Sequence, residues 1–334
     1  MRPASSTTRR HARIVSVAAY HPVRSVGNAE LIDTYRLDST DAWIRARTGI
    51  GARGLAAPHE TLAFMGARAA ERAVRRAGPG AGGIDCVLAA TMSHLAGDTS
   101  LAREIADRLD PVPRAALDVS AACAGFATGL ELARCLVSGG VFRRVLLVGA
   151  ERMSDIVEAA DRTTSVIFGD GAGAVVVEGS DEPGISAAAW GSDGTQGDLL
   201  SRAPGDPRNP PENENRPPYL RMRGPELYRW VMAHVPENAQ QALKRAGIAA
   251  GELDAFIPHQ ANDRMITGLA KALALPPTVA VARDVVRRGN TSAASIPLAM
   301  EALLDERPEL SGGLALLSGF GAGVAYAAQV VRLP

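Results

Sequence analysis

An α/β fold is what this sequence predicts, on three observations. Strand-like apolar runs alternate with amphipathic, helix-like segments along the chain, the pattern of successive βα units. Several runs, such as IDCVLAA from Ile84 and RVLLVGA from Arg144, are almost wholly apolar, which is how strands buried on both faces read. Part of the chain also repeats: AVRRAGPGAGGIDCVLAA from Ala73 lies without a gap on ALKRAGIAAGELDAFIPH from Ala242, an offset of 169 residues. Ala73, Arg76, Ala77, Gly78, Gly82 and Asp85 then fall on Ala242, Arg245, Ala246, Gly247, Gly251 and Asp254. Two related halves in one polypeptide are expected.

In chain order, residues 1–12 are rich in Arg, Ser and Thr and read as a tail, and the apolar run IVSVAA that follows is too short for a signal peptide. The first half is placed at 13–180, with strands ARIVSVAAY, IDCVLAAT, AALDVSA, RVLLVGA and AVVVEG, and helices at Leu62–Ala77, Leu101–Leu109 and Gly125–Ser138. The second half is placed at 181–334, with strands AFIPHQ, LALLSGF and YAAQVVRL, and helices at Leu227–Ala246, Arg264–Leu273 and Ser295–Leu304. Within it, GDPRNPPENENRPPYL is too rich in Pro, Asn and charge to build a core, so about 203–219 reads as an exposed loop. The phrases FGDGAGAVVV from Phe168 and FGAGVAYAAQVV from Phe320 close the two halves at a shorter offset of 152.

Composition excludes several classes. Lys+Arg and Asp+Glu both number 36 among 334 residues, so nothing draws the whole chain to nucleic acid or an anionic membrane. No apolar segment approaches the ~18 residues of a membrane span. Cys86, Cys123 and Cys135 form no CxxC pair, so neither a disulfide framework nor a metal site is indicated, and a reducing cytoplasm fits.

Chemistry concentrates where strands end. Cys123, in ALDVSAACAGFATG, stands where an apolar strand gives way to a helix. A helix N-terminus favours a thiolate and so lowers the thiol pKa, and the small neighbours Ala121, Ala122, Ala124 and Gly125 leave room for an acyl group. An inert core cysteine would read the same way taken alone. The repeat supplies partners: at offset 169, Cys123 lands on Ser292 in the turn GNTSAAS, and Asn290 of that turn lands on Ala121. If a pseudo-twofold relates the halves, these loops face one another, with His259 of PHQAN on a neighbouring strand end, where α/β sheets place ligand chemistry.

The motifs DVSAACAGF, PHQAN, GNTSAAS, FGDGAGA with FGAG, and DAWIRARTGI from Asp41, resemble the β-ketoacyl carrier-protein synthase III family of the thiolase superfamily, from about Arg13 to the C-terminus. The resemblance implies a thiolase-like fold of two pseudo-symmetric halves layered αβαβα, a homodimer, and a ping-pong Claisen-type condensation. The substrates would be an acyl-coenzyme A starter and malonyl-acyl carrier protein, with no metal or redox cofactor. It implies Cys123 as nucleophile, an oxyanion hole from the backbone N–H groups of Cys123 and Ala322, and His259 and Asn290 as donors to the enolate left by decarboxylation. For the donor nucleotide it places Trp43 against adenine and Arg47 and Arg264 near phosphates, with Tyr228 and Asp155 also assigned to substrate. Arg229, Arg264 and Lys271 form a local basic patch for an acidic carrier protein.

Departures qualify this. Asp155 is read as standing where many members have an arginine that sandwiches adenine against the tryptophan. Pro225 replaces an asparagine that often holds pantetheine, and Asp98 lies where an aromatic residue commonly closes the acyl pocket. A specialised starter is expected rather than acetyl. Two other activities compete with condensation: acyl transfer to oxygen, nitrogen or a carrier thiol without decarboxylation, and a non-catalytic partner subunit of a polyketide assembly.

Overall fold

The computed structural model describes residues 11–78, 83–94, 99–202 and 219–334. The expected tail therefore lies outside the described residues up to position 10, the expected loop lies outside them except Tyr219, and so does Asp98. His11 and Ala12, assigned above to the tail, instead open the first strand, because the Ala12 side chain is buried.

The first half runs β1 (His11–Tyr20), β2 (Arg24–Gly27), α1 (Asn28–Tyr35), α2 (Asp41–Thr48), β3 (Ala52–Leu55), α3 (Leu62–Arg76), β4 (Cys86–Ala90), α4 (Leu101–Ala106), β5 (Ala115–Val119), α5 (Gly125–Ser138), β6 (Arg144–Arg152) and β7 (Asp170–Ser180). The second runs β8 (Ala189–Ser192), β9 (Leu200–Ser201), β10 (Arg221–Met222), α6 (Gly224–Ala246), β11 (Ala255–Pro258), α7 (Asp263–Ala272), β12 (Ala280–Val281), α8 (Val285–Arg288), α9 (Ser295–Glu306), β13 (Leu314–Gly321) and β14 (Ala325–Arg332).

Two five-stranded sheets result, ordered β1-β7-β6-β4-β5 and β8-β14-β13-β11-β12, which correspond strand for strand. In each, the fourth strand pairs in parallel on both sides (β4 with β5 and β6, β11 with β12 and β13), and the remaining pairs are antiparallel. Every residue of β4, CVLAA, is buried, as its unbroken apolar run requires. Between the sheets, α5 contributes Phe126 and Leu130, and α9 contributes Ile296 and Met300, to one shared core. Each such side chain stabilises by about 1.5–3 kcal/mol on burial. Outside, α3 and α4 cover the first sheet through Met65 and Ile105, and α6 and α7 cover the second through Val235 and Leu269. The layering is αβαβα.

The repeat persists with one adjustment. Cys86 and Ala255 open equivalent strands at an offset of 169, whereas α5 opens at Gly125 and α9 at Ser295, 170 apart. The connection in the second half is one residue longer, so Cys123 corresponds to Ala293 rather than Ser292. Asn290 accordingly corresponds to Ser120 rather than Ala121. Ala122 (φ 45°) and Ser292 (φ 46°) share the left-handed conformation that bends each chain into its helix, a geometry costing a non-glycine residue about 1–2 kcal/mol. The two FG phrases are not equivalent, because Phe168 precedes β7 whereas Phe320 lies within β13, the counterpart of β6.

Helix boundaries follow local chemistry. Thr40 accepts a hydrogen bond from the Trp43 N–H and starts α2, and Gly49, at φ 75°, ends it. Pro225 sits in the first turn of α6, where its missing N–H costs nothing, so that helix begins three residues before the expected Leu227. The eight-residue helices α1 and α2, absent from the expected elements, pack Leu31 and Ile44 against Ile156, Ile167 and Phe168, forming a small core beside the first sheet.

Candidate active site

Cys123 occupies a 3-10 turn, Ala122–Ala124, that leads directly into α5. It is 3% exposed. The end of β13 presses on it: a Cβ built on Gly321 would stand 2.7 Å from both the Cys123 Cβ and its backbone nitrogen. Only glycine fits there, and this contact sets the Gly321–Ala322 backbone against the sulfur-bearing residue.

His259 follows β11 and is 2% exposed. Its backbone N–H donates to the Ser318 carbonyl at 2.7 Å, its ring meets Phe320 edge-on at 5.2 Å, and its Nδ1 lies 2.7 Å from the Ser295 Oγ. That hydroxyl already accepts the Gln260 N–H at 3.3 Å. A hydroxyl has one proton to give, and given to Nδ1 it leaves the His259 proton on Nε2. Burial pushes the imidazole down to about 3, so the ring is neutral. Gln260 locks the turn by donating to the Pro258 and Ala282 carbonyls and accepting from the Val285 N–H.

Asn290 is held from both sides of its backbone: its N–H donates to the Ile167 carbonyl at 2.9 Å and its carbonyl accepts from the Gly169 N–H at 3.0 Å. Its Oδ1 accepts the Ser292 N–H at 2.8 Å. With the oxygen occupied, the amide presents its two N–H donors.

Cys123, His259 and Asn290 line one cavity of about 570 Å³, together with Trp43, Arg47, Arg162, Tyr228, Arg229 and Arg264. The first three are almost fully buried, whereas Trp43 and Tyr228 are 38% and 37% exposed, so the cavity runs from a buried end to a cationic and aromatic opening. Lys271 is exposed and does not line it, which separates it from Arg229 and Arg264. Pro225 is part of the wall.

The substrate assignment of Asp155 needs correction. Asp155 ends a 3-10 turn, pairs with Arg152 at 3.2 Å and does not line the cavity. The position beside the indole belongs to Arg162, whose guanidinium carbon stands 5.6 Å from the Trp43 ring centroid, the same distance as that of Arg47. Arg162 is steadied by the Asp38 carbonyl at 2.6 Å. The arginine beside the indole thus stands seven residues further along the chain than Asp155.

The expected lowering of the thiol pKa is also reversed. Burial pushes the Cys123 thiol up to about 12, the Glu151 carboxylate adds to this, and the neighbouring Ser292 hydroxyl opposes it. A helix N-terminus offers about 2 kcal/mol at best, less than desolvating a thiolate costs in this position. Cys123 therefore rests as a thiol. Ser295, Gln260 and Glu151 went unremarked in the sequence, although Gln260 and Ser295 lie inside the PHQAN and GNTSAAS motifs.

Comparison with known proteins agrees with this geometry. The family model described as 3-oxoacyl-[acyl-carrier-protein (ACP)] synthase III matches residues 117–194, and its C-terminal companion matches 243–333. The chain is 45% identical over 324 residues to a beta-ketoacyl-[acyl-carrier-protein] synthase III of Streptomyces glaucescens, covering 97% of both chains. It is 43% identical to a mycobacterial beta-ketoacyl-[acyl-carrier-protein] synthase III of Mycobacterium avium, covering 96% of this chain and 95% of that one. Among solved structures, the priming beta-ketosynthase from the R1128 polyketide biosynthetic pathway superposes with a TM-score of 0.92 at 42% identity, covering 99% of each chain.

Proposed function

The chain belongs to the 3-oxoacyl-[acyl-carrier-protein] synthase III family, and from that premise we propose that it joins an acyl-coenzyme A starter to malonyl-acyl carrier protein through an acyl-Cys123 intermediate, priming fatty-acid or polyketide synthesis. The observation that carries this reading is the convergence of Cys123, His259 and Asn290 in one cavity.

Each residue has work suited to its surroundings. Cys123 attacks the donor thioester, and the oxyanion meets backbone N–H groups of Cys123 and Ala322. Coenzyme A leaves, with its nucleotide held by Trp43, Arg47, Arg162 and Arg264. Tyr228 bounds the same passage. The malonyl thioester then loses CO₂, and the enolate oxygen accepts from His259 Nε2–H and the Asn290 amide. The enolate carbon attacks acyl-Cys123, and burial of this end of the cavity strengthens these hydrogen bonds while limiting hydrolysis. No step calls for a metal or redox group.

Two side-chain donors lining one cavity with the thiol favour decarboxylative condensation over simple acyl transfer, since only the enolate step needs both. Arg229 and Arg264 at the opening suit an acidic carrier protein. A homodimer formed through the edge strand β5, where Leu117 is 51% exposed, completes the reading. The cytoplasm is the assigned compartment.

The test is intact-mass measurement after exposure to a panel of acyl-coenzyme A donors, then addition of malonyl-acyl carrier protein. An adduct absent from Cys123→Ala and converted to a β-ketoacyl product supports condensation. An adduct that passes to an acceptor without CO₂ release would instead establish simple acyl transfer.

A further inference from the structure

The residues read above as holding the donor nucleotide come from two separate stretches of chain. Trp43 and Arg47 stand on α2, whereas Arg162 stands on the turn that precedes β7, and all three line the cavity. That turn is closed by its own backbone: the Asp161 carbonyl accepts the Thr164 and Ser165 N–H groups, and the Thr164 carbonyl accepts the Ile167 N–H. Arg162 therefore moves with Val166. What joins this turn to α2 does not line the cavity at all. It is Arg53, in β3, whose side chain is fully buried.

One guanidinium reaches three segments. Its Nη1 donates to the Asn28 Oδ1 at 2.8 Å and to the Val26 carbonyl at 3.3 Å, and its Nη2 donates to the Val166 carbonyl at 2.6 Å. Asn28, itself 2% exposed, gives its Nδ2 hydrogens to the Asp41 Oδ1 and the Ile50 carbonyl, both at 2.8 Å. Asp41 opens α2 and Ile50 follows its Gly49 cap, so a single amide grips both ends of that helix. The stem of Arg53 is enclosed as well: its Cβ lies 3.1 Å from where a Cβ on Gly169 would stand and 3.0 Å from where one on Gly289 would, on either side of the bridge between Phe168 and Asn290. The acceptors of the head are two carbonyls and an amide oxygen rather than a carboxylate, and its Nε completes no hydrogen bond. Burial pushes the guanidinium down to about 10, which leaves it protonated at neutral pH. An apolar side chain of similar volume would fill this space without a desolvated charge. It would lack the planar fork that directs N–H groups at several acceptors in fixed geometry.

We propose that Arg53 is a positioning residue for the donor nucleotide: its guanidinium holds the Arg162 turn against α2, so that Arg162 and Arg47 each stand 5.6 Å from the centre of the Trp43 ring. The proposal rests on the reading of Trp43, Arg47 and Arg162 as nucleotide contacts. Arg53 touches neither the donor nor Cys123, and acts only through the Val166 carbonyl and Asn28. Head and stem have separable work. The stem packs beneath the backbone that carries Asn290, which serves the malonyl substrate, whereas the head serves the nucleotide of the acyl donor. Removing the head and keeping a stem therefore weakens recognition of the nucleotide alone.

Arg53→Met keeps an unbranched stem and removes the fork. The test measures acylation of Cys123 by intact mass with acetyl- and isobutyryl-coenzyme A, each against the acyl-pantetheine that lacks the nucleotide. For the coenzyme A donors KM should rise roughly 5-fold with the maximal rate nearly unchanged, no more than a lost cation over an indole gives. Both constants for the pantetheine donors should match those of the wild type. Combined with Arg162→Ala, Arg53→Met should add less than its own factor, because the two act on one contact. An unchanged KM, equal losses for the two kinds of donor, or factors that multiply would each overturn the proposal. Should Arg53→Met not fold, Asn28→Ala breaks the same tie from the α2 side, and equal losses for the two kinds of donor again overturn it. A wild type that uses both kinds of donor equally would instead strike the reading of the nucleotide contacts. Hydrogen exchange on the ligand-free enzyme then decides the role of Arg53. Faster exchange in Arg53→Met confined to α2 and residues 161–167 upholds the tie, and unchanged or uniformly faster exchange overturns it.

Discussion

The Ser295 hydroxyl stands 2.7 Å from the His259 Nδ1 and accepts the Gln260 N–H on its other side. This pair, joining the first residue of α9 to the end of β11, decides which nitrogen His259 offers to the cavity.

Ser295→Ala is therefore expected to slow decarboxylation of malonyl-acyl carrier protein by roughly 10-fold, short of the 10²–10³ lost with an oxyanion donor itself. Cys123 acylation should change little. Ser295→Thr keeps the hydroxyl and should restore most of the rate. Separate measurement of CO₂ release and of the acylation burst checks both statements, and equal losses in the two would refute the tautomer assignment.

Gly321→Ala would drive a methyl to 2.7 Å from Cys123. Acylation should fall below detection, while overpacking costs roughly 1–3 kcal/mol. A denaturant titration alongside the mass measurement separates these effects, and wild-type labelling would show that the backbone there can yield.

Arg162→Ala should raise the KM for the acyl-coenzyme A donor by about 5- to 10-fold with kcat nearly unchanged, in line with about 1 kcal/mol for a half-exposed cation over an indole. Asp155→Ala should leave KM unaltered. Initial rates across donor concentration would distinguish the two positions, and the reverse ranking would reinstate Asp155.

Stability should fall in acid partly through His259. Its affinity for protons is depressed to about 3 in the fold against about 6.5 in the unfolded chain, so between those values the unfolded chain binds the additional proton. The stability held above pH 6.5 is lost progressively as pH falls toward 3. His21, pushed down to about 4 by burial, adds in the same direction. Urea titrations between pH 7 and pH 4.5 should show a shallower loss for His259→Gln than for the wild type, and parallel losses would count against a neutral, buried imidazole.

Much of this protein is written locally. Unbroken apolar runs such as CVLAA and RVLLVGA announce buried strands, and the Ala73 and Ala242 stretches announce two related halves, because strand burial and helix stops depend on neighbours a few residues apart. The cysteine, histidine and asparagine motifs were legible through the repeat and through their resemblance to the β-ketoacyl carrier-protein synthase III family. The eight-residue helices α1 and α2 were not, since two turns carry little periodicity and owe their stability to packing on the segment around Phe168. Only the folded chain could set Arg162 against Trp43, Ser295 against His259 and Glu151 near Cys123. Those pairings join residues 119, 36 and 28 positions apart, and their geometry depends on turns no pattern registers. The protonation of Cys123 belongs to the same category: a helix start by itself favours a thiolate, but burial pushes the thiol pKa up.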